Sequence, residues 1–413
     1  VVALVAITIG YYKWIYQYWQ RKNLPFLEPR IPYGNLINPL RRKDTVGVTM
    51  HHIYDEMKKR NWKHGGIFFV MSPVYFPISL DYVKNIMAKD FEYFVDRGFY
   101  YNEKDDPLSA HLFAIGGIKW RNLRTKLTPT FTSGKMKMMF QTLVDCEVNL
   151  QKKMLQECEK KEPVDVKEIL GCFTSDIIGS CAFGLDFKTF EQENSPFRVY
   201  GKKLFSGGKV RAVKGTFKSN FPELARALGF RGLPKDIADF FMKVVKDTVS
   251  YREKNNYTRK DFLQLLIDLK NNDVAETLRK YPPVPFLTRK CVKDYKIPDE
   301  DIIIEKGTTV VLSVLGIHYD EEYYPDPEKF DPERFTEENK NLRHHYSHIP
   351  FGEGPRLCIG MRFGLMQTKV GLTSLLKKYK FTVNKKTIEP LKMKVNSVIL
   401  AADGEIWLDA HKI

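Results

Sequence analysis

The stretch from Phe351 to Gly360 reads FGEGPRLCIG, and it constrains this chain more than any other. A single cysteine, Cys358, sits in a Gly/Pro-rich loop, and apolar residues follow it at helical spacing: Ile359, Phe363, Met366, Val370 and Leu376. That spacing predicts a helix beginning at or just after Cys358. Unpaired N–H groups and the positive dipole end of such a helix favour a thiolate over a thiol. Gly354 and Gly360 leave room where a backbone would approach a flat ligand closely. Phe351 can cover the sulfur on one side, and Arg356 offers a planar donor fork to a carboxylate. Loop, thiolate and cation together describe an iron ligand under a heme.

The spacing Phe351-x-x-Gly354-x-Arg356-x-Cys358-x-Gly360 resembles the heme-binding loop of the cytochrome P450 monooxygenases. From average residue usage, five such fixed positions arise by chance in a chain this long about once in ten thousand. The plain alternative is a buried structural cysteine in a glycine loop.

Composition admits a large core, because 43% of the 413 residues are hydrophobic and 28 are Phe. Cys146, Cys158, Cys172, Cys181, Cys291 and Cys358 form no CxxC pair and no zinc spacing, and read as reduced thiols in a cytosol-facing protein. The net charge of +16 raises nucleic-acid binding as a question. The basic residues are dispersed, however, and no nucleic-acid module accompanies them. A positive face for an acidic protein or anionic lipid accounts for the charge equally well.

The chain opens VVALVAITIGYY, a run shorter than the ~20 residues of a spanning helix. Aromatics at its end and Arg21-Lys22 beyond suggest an interfacial belt with positive charge on the cytoplasmic side. Residues 1–20 are therefore expected to form an incomplete N-terminal membrane anchor. No clear cleavage site follows, which disfavours a signal peptide. Residues 21–35, with Pro25, Pro29 and Pro32, are expected as a stiff linker. Residues 36–413 then form the catalytic domain.

KWRNLRTKL, Lys119 to Leu127, reads as a helix with Trp120 and Arg124 on one face. Beside the cysteine loop it is similar to the family's heme-propionate helix. Arg97, in FVDRGFYY, falls where many members place a further propionate cation. Met136–Glu159, Lys167–Phe183 (ending at Gly184) and Asp261–Leu269 are also expected to be helical. Val70–Leu80 suggests short strands, and Phe205–Phe221 is a mixed Gly/Lys/Phe region. The β-branched runs Ile302–Ile304 and Thr308–Val314, flanking Glu305-Lys306-Gly307, predict a hairpin. A second is expected from Val398–Ala401 and Ile406–Leu408 around Asp403-Gly404. The fold class expected is mainly α with small antiparallel β-sheets.

Glu276-Thr277-Leu278-Arg279, followed by YPPVP and then Asp331-Pro332-Glu333-Arg334-Phe335, resembles the family's paired support motifs. The resemblance implies that Glu276, Arg279 and Arg334 form a bidentate network supporting the cysteine loop.

The family activates oxygen with an acid/alcohol pair in a long central helix, in a pattern A-G-x-[DE]-T. That pattern is absent, so no catalytic residue is assigned. Asp261–Asn272 runs straight into Val274–Arg279 where the family inserts that helix of ~30 residues and ~45 Å. The expectation is a cytochrome P450 fold, internally truncated near 272–273, without a closed distal pocket. A skipped exon, a faulty gene model or a degraded gene copy would each produce that junction.

The resemblance is to the insect microsomal class that oxidises plant toxins, insecticides and other xenobiotics, carried by FYYNEKDDPLSAHLFAIGG and CIGMRFGLMQTKVGL. It implies heme b ligated by Cys358, with Trp120, Arg124, Arg356, Phe351, Gly354, Gly360 and Arg97 as heme contacts. It implies electrons from NADPH through an NADPH-cytochrome reductase, cytochrome b5 as a further partner, and no nucleic acid. The place implied is the endoplasmic reticulum membrane, with the catalytic domain facing the cytosol. Phe99–Phe113, Phe205–Phe221, Val284–Leu287 and Ile399–Leu400 would lie near a lipophilic substrate. The different-class alternative is a non-catalytic heme-binding or reductase-sequestering form.

Overall fold

A computed structural model describes residues 2–38, 44–192, 195–255, 271–395, 397 and 399–413; for Lys209, Val249, 251–255 and 271–273 it describes the backbone only. The expected helix Asp261–Leu269, and Val398 of the second expected hairpin, lie outside the described residues.

The helices that frame the fold are α1 (Val2–Tyr16), α2 (Val46–Lys59), α3 (Gly117–Leu127), α4 (Ser133–Glu159) and α5 (Val166–Ile178). They are followed by α6 (Pro196–Phe205), α7 (Lys209–Asn220), α8 (Lys235–Asn255), α9 (Asn271–Lys280) and α10 (Met361–Leu376). The strands are β1 (His64–Phe69), β2 (Ser72–Pro77), β3 (Leu287–Lys290), β4 (Thr309–Leu312), β5 (Tyr379–Val383) and β6 (Trp407–Lys412). The main sheet runs β1-β2-β4-β3. It is mixed, because β2 and β4 are parallel at Val74↔Thr309 while the other pairs are antiparallel.

Two cores hold these layers. One surrounds the sheet, with Met50, Ile53, Phe68, Phe76, Val310 and Leu312 buried. The other lies between α4, α5 and α10, where Leu143, Leu150, Phe173, Ile177, Val370 and Leu375 interlock. Leu143, Cys146, Leu150 and Met154 recur three to four positions apart on α4, so one stripe of that helix is dry. Asp165 caps α5 by accepting from Lys167 and Glu168 N–H, and after a wide turn at Gly179–Phe183 the chain leaves through Gly184 at φ 65°.

Several expectations change. Residues 21–35, expected as a linker, lie along β1 instead: Leu24 and Leu27 are buried, and Gly66 N–H donates to Pro25 O at 2.8 Å. Phe205–Phe221 is largely a helix, α7, whose period is blurred in sequence by Lys and Gly residues. The hairpin expected at Glu305–Gly307 does not form. Ile303–Ile304 pairs with Tyr295–Lys296, whereas β4 joins the main sheet. Near the C-terminus β6 pairs with β5, and the Asp403-Gly404 turn instead closes contacts between residues 392–394 and 401–403. Along α1, Val2, Leu4, Val5 and Ile7 are exposed; among the described residues no helix is long and apolar enough to cross a membrane.

Candidate heme site

The cysteine loop is a tight turn closed by Cys358 N–H donating to Phe351 O at 3.0 Å, with α10 starting three residues later. No disulfide forms among the described residues, and Cys358 is exposed while Cys146, Cys172 and Cys291 are buried. Gly354 has φ 69°, and a Cβ there would meet the Met87 carbonyl oxygen at 2.0 Å. The glycine thus makes room for protein backbone, which corrects the expectation that it faces a flat ligand. A Cβ at Gly360 would meet only Phe131, at an ordinary 3.9 Å. Phe351 lines a cavity of about 790 Å³ between α9, residues 335–348 and α10.

Arginines converge on this loop. Arg124, carried by α3, donates to Leu357 O at 2.9 Å, and Arg97 donates to Arg356 O at 3.1 Å. Arg356 was expected to hold a carboxylate through its donor fork. Its three nitrogens instead donate to the carbonyls of Val95, Leu112 and Ile115, at 2.9, 3.3 and 3.0 Å. Its guanidinium also stacks over the buried Trp120 ring, 3.9 Å from the centroid. A fourth cation, Arg289 of β3, is 1% exposed and was missed in the sequence, where TRK looks like an ordinary solvated strand edge.

Burial, reinforced by the neighbouring cations, pulls the guanidinium pKa values down, to about 10 for Arg97 and about 9 for Arg289 and Arg356. All remain charged at neutral pH. Among the described residues, the one carboxylate within ion-pair distance of the four is Asp96, 3.9 Å from Arg356 Nη2. The buried Nε atoms of Arg97 and Arg289 have no hydrogen-bond partner among the described residues. Orphaned donors on crowded buried cations fit a missing anion, and the two propionates of a heme supply that chemistry. Trp120, Arg124 and Arg97 therefore come together at the loop, with Arg289 added and Arg356 serving as the backbone clamp.

The support motif lies behind the loop. Arg279 and Glu276 are both fully buried and bond bidentately, Nε–Oε2 at 2.8 Å and Nη2–Oε1 at 2.7 Å. Arg279 also donates to the carbonyls of His318 and Pro327. Arg334, expected as an equal member, stands 3.8 Å from Glu276 and donates to Asp326 O. Among the described residues, the bidentate element is the Glu276–Arg279 pair.

Beside it His318 and His348 stack on each other, bonded to the carbonyls of Arg279 and Ala275. His318 Nε2 accepts from Ile349 N–H at 3.0 Å, so Nδ1 carries the proton and donates to Arg279 O. Burial drives the His318 pKa well below its ordinary value and takes His348 down to about 4. In the unfolded chain both titrate near ~6.5. Their contribution is therefore fully present above that pH and is lost as pH falls through it toward the folded values. These two histidines together add up to two protons, ~2.7 kcal/mol per pH unit, to the fall in unfolding free energy that urea titrations from pH 7 to pH 5 measure. His348→Gln should remove about half of that slope.

A second cavity, of about 380 Å³, is lined by Phe99, Tyr100, Arg211, Phe286, Ile399 and Leu400 among others. It brings together all four stretches expected near a lipophilic substrate.

A family model described as cytochrome P450 matches residues 29–275 and 271–407, two segments that meet at the start of α9. Cytochrome P450 6A1 of Musca domestica is 34% identical, with 99% of this chain and 96% of that protein covered. Cytochrome P450 6a2 of Drosophila melanogaster is 32% identical, with 100% and 98% covered. The probable cytochrome P450 6a23 of the same fly is 35% identical, with 96% and 95% covered. The first alignment is 493 positions long and can hold at most the 413 residues of this chain, so at least 80 of its positions have no residue here. On the cysteine loop, its ring of arginines and these full-length likenesses, the chain belongs to the cytochrome P450 family of monooxygenases.

Proposed function

We propose that the chain binds heme b through Cys358 and inserts one oxygen atom of O₂ into lipophilic small molecules such as plant toxins and insecticides. The observation that carries this is the pair of buried Nε donors of Arg97 and Arg289, unpartnered among the described residues, in a cluster with Arg356 of the loop that bears the exposed Cys358. Heme with a thiolate ligand supplies the oxygen chemistry, and the thiolate favours O–O cleavage. Arg97, Arg124 and Arg289 would hold the propionates, with Trp120 on the same helix as Arg124. Arg356 ties the loop to residues 95–115. Glu276 and Arg279, with Arg334 beside them, hold the chain that leads into the loop, so the sulfur is fixed in place. The apolar lining of the 380 Å³ cavity supports a lipophilic substrate, which excludes water when seated.

Electrons originate in NADPH on this reading and arrive from a reductase docked on the basic face around the cysteine loop, with cytochrome b5 as a second donor. A membrane location, the endoplasmic reticulum with the catalytic part facing the cytosol, is supported by apolar exposure. Val210, Val213, Leu224 and Leu228 are exposed, and Val70, which lines a cavity of about 340 Å³ with Tyr33, Val213 and Phe221, accepts at its carbonyl from Tyr16 at the end of α1. Residues 1–20 would anchor the chain there.

A second reading is favoured by the alignment positions without counterpart and by the missing acid/alcohol pattern: a heme-binding, reductase-sequestering form without turnover. The deciding experiment is the carbon monoxide difference spectrum of the dithionite-reduced protein in membranes, followed by turnover with reductase and NADPH. A thiolate-shifted Soret band with product formation establishes the monooxygenase. The band without product leaves the sequestering form. Absence of the band from expressed protein overturns both.

A further inference from the structure

We propose that Asp96 is the positioning residue that sets the spacing of the arginine group, and that it thereby selects a ligand with two carboxylates. This rests on the heme reading above. Asp96 stands where three arms of the site meet. Its Oδ1 accepts the Gly117 N–H at 2.7 Å, capping the start of α3 from across the chain, so the helix bearing Trp120 and Arg124 is fixed to it. Its backbone carbonyl accepts the Lys290 N–H at 2.7 Å, which ties it to β3 one residue from Arg289. Arg97 is its direct neighbour, and Thr288 Oγ1 donates to the Arg97 carbonyl at 2.8 Å, so the same strand also holds that cation. The carboxylate is also 3.9 Å from Arg356 Nη2, among cations that have no other acidic neighbour among the described residues.

The local cap position is Gly116, which has no side chain to offer. A Cβ built there would lie 2.4–2.5 Å from the Asp96 carboxylate atoms, so the glycine makes the space that lets Asp96 reach the helix end. At φ −122° the residue needs no glycine for its backbone. The space, and not the conformation, is what Gly116 provides.

One carboxylate thus fixes the distances between Arg97, Arg124 and Arg289. A ligand with two anionic arms feels that spacing, whereas the same ring with esterified arms does not. The full chain in detergent is titrated with hemin and with hemin dimethyl ester, and thermal unfolding of the heme-free protein is recorded in parallel. Asp96→Ala should weaken hemin binding by about tenfold or more while leaving ester affinity within about twofold. Asp96→Asn keeps an acceptor oxygen for Gly117 N–H and should stay within about threefold of the parent for hemin. Gly116→Ala leaves the carboxylate in the chain but displaces it, and should reproduce the hemin-selective loss. If Asp96→Ala does not fold, Gly116→Ala against Asp96→Asn carries the same comparison. Equal losses for both ligands, or no loss in Asp96→Ala, overturn the proposal. A parent chain that binds neither ligand overturns the heme reading itself.

Discussion

Replacing Arg279 with methionine is expected to cost the fold ~3–5 kcal/mol, against the ~5–15 kcal/mol that holds an ordinary domain together. Glu276 and Arg279 are fully buried, and their two hydrogen bonds, at 2.8 and 2.7 Å, are charge-assisted. Without the guanidinium, Glu276 keeps, among the described residues, the Asp331 N–H at 3.1 Å and a distant Arg334 at 3.8 Å. The carbonyls of His318 and Pro327 lose their donor at the same time. Removing both partners, as Arg279→Met with Glu276→Met, leaves no unpaired charge in the interior, so the double variant should be more stable than either single one. Urea unfolding of the four proteins measures this. A single-variant cost below about 1 kcal/mol would falsify the view that this pair anchors the segment leading into the cysteine loop.

Changing Cys358 to serine should abolish the thiolate-shifted band of the reduced carbon monoxide complex completely, and turnover with it. The same change at Cys146 or Cys291 should leave the band at full height. Burial pushes both of those thiols up to about 11, so they stay protonated at neutral pH and make poor ligands. Cys291 is further engaged as a donor to Lys293 O at 2.7 Å. Cys358 differs by exposure and by the Arg97 and Arg124 guanidiniums bonded to the carbonyls of the two residues before it. Retention of the shifted band in Cys358→Ser would place the ligand elsewhere.

The cysteine loop is legible because it lies within ten consecutive positions, where spacing along the chain is spacing in the fold. Trp120 with Arg124, and Glu276 with Arg279, were legible for the same reason, since a helix converts a step of three or four residues into adjacency. Arg289 was not. It becomes part of the site only when β3 pairs with β4 and its strand is bridged to Asp96. The β-branched runs on either side of Glu305 showed that strands exist but not which partners they take, and the hairpin expected there separates into two sheets.

The sequence by itself determined the helical character, the cysteine loop, the Trp120–Arg124 and Glu276–Arg279 pairs and the absence of the oxygen-activating pattern. Each of these is written in local spacing, which covalent geometry carries directly into structure. Tertiary structure alone decided that Arg356 spends its donors on three backbone carbonyls, that Gly354 yields to the Met87 carbonyl, and that Asp96 joins three arms of the site. Those outcomes depend on which distant backbone groups arrive first at each donor or gap, and a side chain's chemistry fixes what it can bond, not what reaches it.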